Sequence, residues 1–366
     1  MFEHRLAVYI DSKLLGAIGI LSAIGVAMVF SATYDSTSGT VGPEFYRQLV
    51  ALAVGAVALF VCLMVDYRTL ADRSLVIYAG LLAILVLTLL AGTEQGGARR
   101  WLGIGPFSGQ PSELARLVLA LVLASVYGRS NPGPRALRDW LPGAVVVALP
   151  FVLIARQPDL GTAVILLPVC MTIMVLAGLR MRVLAVAALL AVLAAPLVWA
   201  YGLEDYQQRR ISSFLHPEQD RQGAGYQQRQ ARITVGSGGL TGRGFLQGTQ
   251  NQYDFLPVAH NDFIFSVLAE ELGFVGVSIT LGLYLFVVLR SLDAARVARD
   301  STGTYLVAGI VAGFTFQVAY NIAMSAGLAP VKGLTLPLMS VGGSSIIATL
   351  IGFGLILNVR MRRFRN

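Results

Sequence analysis

The sequence predicts an all-α polytopic membrane protein of about ten transmembrane helices, with a large extracytoplasmic loop between the seventh and the eighth. Three observations carry this. The 366 residues are 55% hydrophobic and 13% charged, with a mean hydropathy of +0.69, whereas a soluble domain of this length carries roughly twice the charge. Apolar runs of about 20 residues recur from end to end, the length that crosses a hydrocarbon core of roughly 30 Å. Basic residues concentrate in alternate loops, as the positive-inside rule demands. No polar stretch is long enough to fold separately, so residues 1–366 are expected to form one integral membrane domain, with its outer loop at about 203–261.

The spans fall at about 14–32, 48–66, 75–92, 112–128, 140–156, 160–178, 183–202, 262–289, 303–325 and 340–359. The first follows Arg5 and Lys13 and is too long for a cleaved signal sequence, so it reads as an uncleaved anchor. An even number puts both termini on one side. With that side cytoplasmic, the inside gains Arg68, Arg73, Arg129, Arg135, Arg138, Arg180, Arg182, Arg290, Arg296, Arg299, Arg360, Arg362, Arg363 and Arg365. Cys62 and Cys170 both sit in apolar runs and read as small buried hydrophobes, without disulfide or metal spacing. The net charge of +8 is spread over short loops, which topology explains better than a nucleic-acid partner.

The basic residues left outside carry more information. For Arg209, Arg210, Arg221, Arg229 and Arg232 two readings stand, charge tolerated by a long loop or contact with an anionic partner, and Arg243 lies in the same loop. Arg99, Arg100, Arg156 and Lys332 hug span ends, where topology does not call for them. An anionic partner at the outer surface accounts for these four, because guanidinium groups hold phosphate oxygens bidentately.

Taken in order, the second outer loop runs into Gln110-Pro111-Ser112, a helix start. Glu113 and Arg116 follow at i, i+3 inside a membrane span. Each charge there costs roughly 2.5–3.5 kcal/mol, so the pair either faces a cavity or locks helices together. Arg156-Gln157-Pro158-Asp159 breaks spans five and six apart. Pro158 ends one helix and Asp159 is placed to cap the next, or to add its charge at the outer level.

The connection from Gly202 to Asn261 is long enough to be functional. Its segments RRISSFLHPEQD and GYQQRQARITVG read as short amphipathic helices on the bilayer surface. The cluster Gly236, Gly238, Gly239, Gly242 and Gly244 lacks dinucleotide spacing and βαβ context. It reads as loop freedom to admit a ligand. After Leu256-Pro257, the apolar eighth segment opens on Asn261-Asp262 and carries Glu270 and Glu271. In the ninth span Gln317 and Asn321, at i, i+4, form an inward polar stripe. Beyond it Pro330, Gly333 and Pro337 fix an irregular backbone, which a membrane tolerates when it is buried in protein or lines a cavity. Gly342, Gly343, Ser344 and Ser345 are small enough for close helix approach.

Together these motifs resemble the SEDS family (shape, elongation, division and sporulation), and its elongation branch more than its division branch, whose tails are longer. The matching pieces are RRWLGIGPFSGQPSELAR (99–116), RQPDLGTA (156–163), GAGYQQRQARITVGSGGLTGRGFLQGTQ (223–250), FLPVAHNDFIFSVLAEELGFVG (255–276) and LPLMSVGGSSIIATLIGFGLILNV (336–359). They cover nearly the whole chain. Three positions depart from the family pattern: Arg116 stands for a usual lysine, Lys332 for a common threonine and Val341 for a usual tyrosine.

The resemblance implies a peptidoglycan glycosyltransferase of the bacterial plasma membrane. Its substrate would be lipid II, a disaccharide-pentapeptide on undecaprenyl diphosphate. A class B penicillin-binding protein transpeptidase and other rod-complex membrane proteins would be its partners, with no nucleic acid. Joining a β-1,4 bond from an α-linked diphosphate requires inversion, hence a base and cations for the leaving group. Asp262, at the water boundary where a helix N-terminus favours its ionised form, is the expected base. Arg99, Arg100, Arg156 and Lys332 are expected at the diphosphate, with Glu113, Arg116 and Asp159 beside the substrate. A divalent cation, Mg or Mn, at Asp262 is compatible with the same task, although one carboxylate is a sparse donor set. Glu270, roughly 12 Å deeper by helical rise, is assigned with Glu271 to holding the helix. A lipid II flippase and a division-type polymerase are the alternatives. The internal symmetry typical of a transporter is missing from the sequence.

Overall fold

The computed structural model describes the chain apart from residues 1–8, 36–37, 96–97, 105–106, 130–136, 204, 217–219, 221–222, 253–254, 257–258 and 365–366. Arg5, Arg135, Arg221, Pro257 and Arg365 therefore lie outside the described residues.

Ten long helices occupy the predicted spans: α1 (Ser12–Thr33), α2 (Pro43–Met64), α4 (Ser74–Ala91), α5 (Ser112–Gly128), α6 (Leu141–Arg156), α7 (Leu160–Leu176), α8 (Met181–Leu197), α11 (Ile264–Arg296), α12 (Ser301–Ser325) and α13 (Gly343–Met361). Between them lie the short α3 (Tyr67–Asp72) and, in the outer loop, α9 (Asp205–Leu215) and α10 (Ala224–Ser237). Eight helices are long and apolar enough to cross a membrane. The other two, α5 and α7, have 17 residues each and pack with α12 at the centre of the bundle. Among the described residues sheet is confined to a hairpin of β1 (Tyr34–Asp35) and β2 (Thr40–Val41), and a three-stranded ribbon of β3 (Thr93–Gln95), β4 (Ala98–Ile104) and β5 (Phe107–Gly109).

Local chemistry sets the helix ends. Asp11 accepts the Leu14 N–H at 3.2 Å to start α1, and Asp300 accepts the Gly303 N–H at 2.7 Å to start α12. Close packing of α13 on α2 rests on Gly354, whose missing Cβ would lie 2.9 Å from the Leu59 carbonyl oxygen, and on Gly55 against Leu350. Gly343, expected to serve close approach, has only Ala51 at 3.9 Å. Helix α8 is exposed along its whole length and buries no residue.

The eighth span departs from expectation. Residue 262 precedes the helix, which begins at Ile264, and α11 is broken at Gly273 (φ 63°, ψ −165°) into halves 264–272 and 274–296. A break leaves carbonyls at one end and N–H groups at the other without partners. Here the glycine-rich loop supplies both. The Arg243 and Gly244 N–H groups donate to the Glu270 and Glu271 carbonyls at 2.9 and 3.0 Å. The Gly239 and Leu240 carbonyls accept from Phe274 and Val275 at 2.9 and 3.1 Å. A Cβ on Gly238 would lie 1.9 Å from the Ala269 oxygen. The glycines thus permit backbone-to-backbone contact, which corrects the reading of them as freedom for a ligand.

Glu270 is pinned by the same loop. Its Oε1 accepts from the Gln250 N–H at 3.1 Å and from the Ser237 and Thr249 hydroxyls at 3.3 Å, while the Ser31 hydroxyl donates to Glu271. Helix α10 likewise packs on protein rather than on a bilayer surface. Its Ala231 joins Leu256, Phe263, Val267 and Met324 in one apolar cluster, and Gln228 donates to the Ala329 carbonyl at 3.2 Å.

The segment between α12 and α13 is irregular and buried, with Leu334, Leu336, Leu338 and Met339 enclosed. Its carbonyls find side chains: Asn321 donates to Leu334 at 2.6 Å and Tyr284 to Pro337 at 2.6 Å. The Val341 N–H donates to the His260 carbonyl at 3.0 Å, tying this segment to the chain that enters α11.

Candidate functional site

Where these two segments meet, a cavity of about 690 Å³ opens. Its lining includes Arg100, Gln110, Glu113, Arg210, Asp220, Asn261, Asp262, Lys332, Thr335, Ser344 and Ser345. Asp262 stands in the turn before α11, and its backbone is fixed from the next helix: Asn321 Nδ2 donates to the Asp262 carbonyl at 3.0 Å. Gly333 comes close enough that its Cβ would lie 3.7 Å from Asp262 Oδ2.

Burial pushes the Asp262 carboxyl up to about 6, while the positive charges of Arg100 and Arg210 act to lower it. The sequence places Asp262 where a helix N-terminus favours its charge. The helix in fact starts two residues later, and burial outweighs the nearby positive charges. The Lys332 ammonium is lowered from its usual value, first by burial and then by Arg210. Three carboxylates, Glu113, Asp220 and Asp262, and four basic side chains, Arg100, Arg209, Arg210 and Lys332, therefore share one cavity.

The other expected residues divide. Glu113 lines the cavity and pairs with Arg116 at 3.6 Å. Arg116 turns away from it, donating to Gln317 Oε1 and, at 3.0 Å, to the Thr349 hydroxyl. Gln317 continues the network to the Thr335 carbonyl at 3.0 Å and the Ser345 hydroxyl at 3.3 Å. Arg116 therefore supports the cavity wall from behind, since the i, i+3 spacing could not say on which side of the helix the cavity lies.

Asp159 is the N-cap of α7. It accepts from the Thr162 N–H at 3.2 Å and hydroxyl at 2.8 Å, and from Gln110 at 2.5 Å, with Arg100 at 3.8 Å. It stands behind the lining and orients Gln110 and Arg100, which are part of it. Arg99 is exposed on β4 and Arg156 is exposed at the end of α6, and neither lines the cavity.

Sequence reasoning left Arg210 between tolerated loop charge and anion contact, and gave Asp220, Gln110 and Asn261 no place in the site. Arg210 enters from α9, and Asp220 ties that helix to α10 by accepting from Ser213 at 2.8 Å and from the Gly223 N–H at 2.7 Å. Only their position on a folded outer loop marks them. Among the described residues no three His, Cys, Asp or Glu side chains converge as metal donors. Glu113 and Asp220 line the same cavity without converging on Asp262 as a donor set.

Over residues 12–364 the chain matches the FtsW/RodA/SpoVE family, described as cell cycle proteins. The peptidoglycan glycosyltransferase MrdB of Escherichia coli (strain K12) is 35% identical over 356 residues, covering 97% of this chain and 95% of that protein. The peptidoglycan glycosyltransferase RodA of Treponema pallidum (strain Nichols) is 31% identical, covering 96% of this chain and 98% of that one. A chain from a solved peptidoglycan synthase complex, described for its coordination of polymerization and crosslinking, superposes with a TM-score of 0.85 at 34% identity, covering 98% and 99% of the two chains. The rod shape determining protein RodA of Thermus thermophilus superposes with a TM-score of 0.73 at 31% identity, covering 98% of each chain.

Proposed function

The chain belongs to the FtsW/RodA/SpoVE family of cell cycle proteins, and from that premise we propose that its cavity polymerises lipid II during cell elongation, with Asp262 as general base. It is a multi-pass membrane protein and a peptidoglycan glycosyltransferase. The observation that carries the site assignment is one carboxylate raised to about 6 in a cavity that also holds Arg100, Arg210 and Lys332.

In this reading Asp262 is about nine-tenths ionised at neutral pH, as a group of that acidity must be. It accepts the proton of the acceptor sugar hydroxyl while that oxygen attacks the anomeric carbon of the donor. The new C–O bond forms as the bond to the diphosphate breaks on the opposite face. The lipid diphosphate leaves with the bonding pair, so the α link becomes β in one displacement. A positioned base contributes on the order of 10²–10⁴ in rate. Arg100, Arg210 and Lys332 stabilise the charge that grows on the leaving diphosphate. Glu113, on the cavity wall, is assigned to sugar hydroxyls, and Arg116 and Asp159 hold the wall. Arg99 and Arg156, outside the lining, are left with surface roles. No step is routed through a metal ion.

A solved relative comes from a complex that joins polymerization to crosslinking, which supports a class B penicillin-binding protein as partner within a rod complex. The loop charges support cytoplasmic termini and an outward-facing cavity. A division-type polymerase and a lipid II flippase have no observation in their favour that the elongation polymerase lacks.

The test is purified protein with lipid II in detergent. The wild type is expected to make glycan strands and Asp262→Ala is expected to lose at least 10² of the rate. Strands from the variant at the wild-type rate would end the assignment of the base. Lipid II flipping in liposomes without polymer would replace the reaction itself.

A further inference from the structure

At the end of the bundle that carries Tyr9 and Phe364, Arg290, Arg296 and Arg360 pair with two carboxylates and Arg363 stands beside them. Arg290 Nε and Arg360 Nη1 lie 2.8 and 3.1 Å from Asp11 Oδ2. Asp293 is shared by Arg290 at 3.7 Å and Arg296 at 3.5 Å. Arg363 forms no ion pair among the described residues. Its guanidinium lies 4.5 Å from the Phe364 ring centre, and Phe364 meets Tyr9 at 5.6 Å, both rings being exposed. Arg360 is within electrostatic reach of Arg290 and Arg363 as well as of Asp11 and Asp293. The group keeps an excess of positive charge.

Membrane topology alone would be served by arginines extended into water. Here the Arg360 side chain is only 11% exposed. Arg290 Nε and Arg360 Nη1 both face the single Asp11 Oδ2, and the Nε of Arg363 has no acceptor among the described residues. Two carboxylates leave the four guanidinium groups under-neutralised, and a phosphodiester supplies two free oxygens that guanidinium groups bind bidentately. Tyr9 and Phe364 add an exposed aromatic wall of the kind that sits at headgroup level.

We propose that Arg290, Arg360 and Arg363, walled by Tyr9 and Phe364, bind the phosphate of an anionic phospholipid from the adjacent leaflet. A lipid is favoured over a soluble anion because the cationic donors stand beside exposed rings at the end of apolar helices, where a headgroup and its glycerol meet both surfaces. The site lies at the opposite end of the bundle from the proposed chemistry if the cavity faces outward, so it serves anchoring or lipid-dependent stability rather than sugar transfer.

The experiment is native mass spectrometry of the detergent-purified protein titrated with phosphatidylglycerol or phosphatidylcholine of the same acyl chains. Phosphatidylglycerol is expected to be retained about fivefold or more over phosphatidylcholine, the factor that about 1 kcal/mol per basic residue near anionic lipid implies. Arg363→Gln is expected to remove about that factor while polymerising lipid II at the wild-type rate. Because Arg363 pairs with no carboxylate among the described residues, the lipid-free melting temperature of Arg363→Gln should match the wild type. Arg138→Gln, at an 89% exposed side chain, should keep the preference. Equal retention of the two lipids would overturn the proposal, as would an unchanged preference in Arg363→Gln. Loss of bound phosphatidylglycerol to low-millimolar inorganic phosphate would overturn it too, by making the site one for a free anion.

Discussion

A Cβ on Gly273 would lie 2.2 Å from the Gly242 nitrogen, and one on Gly242 would lie 2.1 Å from the Glu271 oxygen. Two backbones cross there with no room for a side chain, and both glycines have positive φ, 63° and 80°. The crossing satisfies the broken ends of α11 and so fixes the half-helix that follows Asp262. Gly273→Ala adds both a clash and a strained φ, and is expected to cost about 3 kcal/mol or more, roughly 4 °C or more in melting temperature for a chain of this length. Gly236→Ala, at a helical position whose Cβ meets nothing within 4 Å, should be neutral or stabilising. Thermal unfolding in detergent compares them, and equal midpoints would refute the crossing as a structural necessity.

The pH dependence of polymerisation follows from the Asp262 carboxyl at about 6. Its ionised form is the base, so the rate should fall about tenfold per pH unit below that value. Arg210 lowers this pKa by its positive charge. Arg210→Gln should therefore move the acid limb to higher pH in addition to slowing the reaction. Rate profiles between pH 5 and 8, on the order of the range where such groups titrate, decide the matter. A slower enzyme with an unmoved acid limb would mean that Arg210 acts on the leaving group alone.

The same shift has a cost in stability. A carboxyl whose folded value lies above its unfolded value favours the folded state most when protonated, below the unfolded value near 4. That contribution is lost as pH rises through about 6. Asp262→Asn removes a buried charge and keeps the shape. Its melting temperature should match the wild type at about pH 4 and exceed it at about pH 8, while polymerisation is lost. A variant that melts below the wild type at the higher pH would contradict the sign.

Much of this was legible in residue order because it depends on local patterns. Apolar runs located all ten spans, and Pro158-Asp159 announced a helix end and the cap of α7. Gln317 and Asn321, spaced to face inward, do hold Thr335, Leu334 and Asp262 from behind. What escaped depends on long-range placement. Gly273 looks like any glycine in a span until Gly239 and Leu240 arrive from a distant loop to accept its neighbours' N–H groups. The i, i+3 pair Glu113 and Arg116 is visible as a pair, but only the fold turns Glu113 to the cavity and Arg116 to Gln317. Arg210 reaches the site because the outer loop folds into α9 and α10 over the bundle, which its charge pattern does not encode.

Asp159 offers a sharp test of what lies in the cavity and what stands behind it. Its carboxylate caps α7 through Thr162 and at the same time holds Gln110 and Arg100. Asp159→Ala should therefore lose a helix cap, typically about 1 kcal/mol, and release the Arg100 guanidinium toward Asp262. Asp159→Asn keeps an oxygen for the Thr162 N–H and so should restore the cap, without restoring the charge that faces Arg100. If Asp159 only supports the wall, both variants should retain kcat within about tenfold, far short of the 10²–10⁴ at stake in a base. Their KM for lipid II should rise as Arg100 loses its orientation. Measured kcat and KM for the two variants separate the readings, and a kcat as low as that of Asp262→Ala in both would return Asp159 to the reacting atoms.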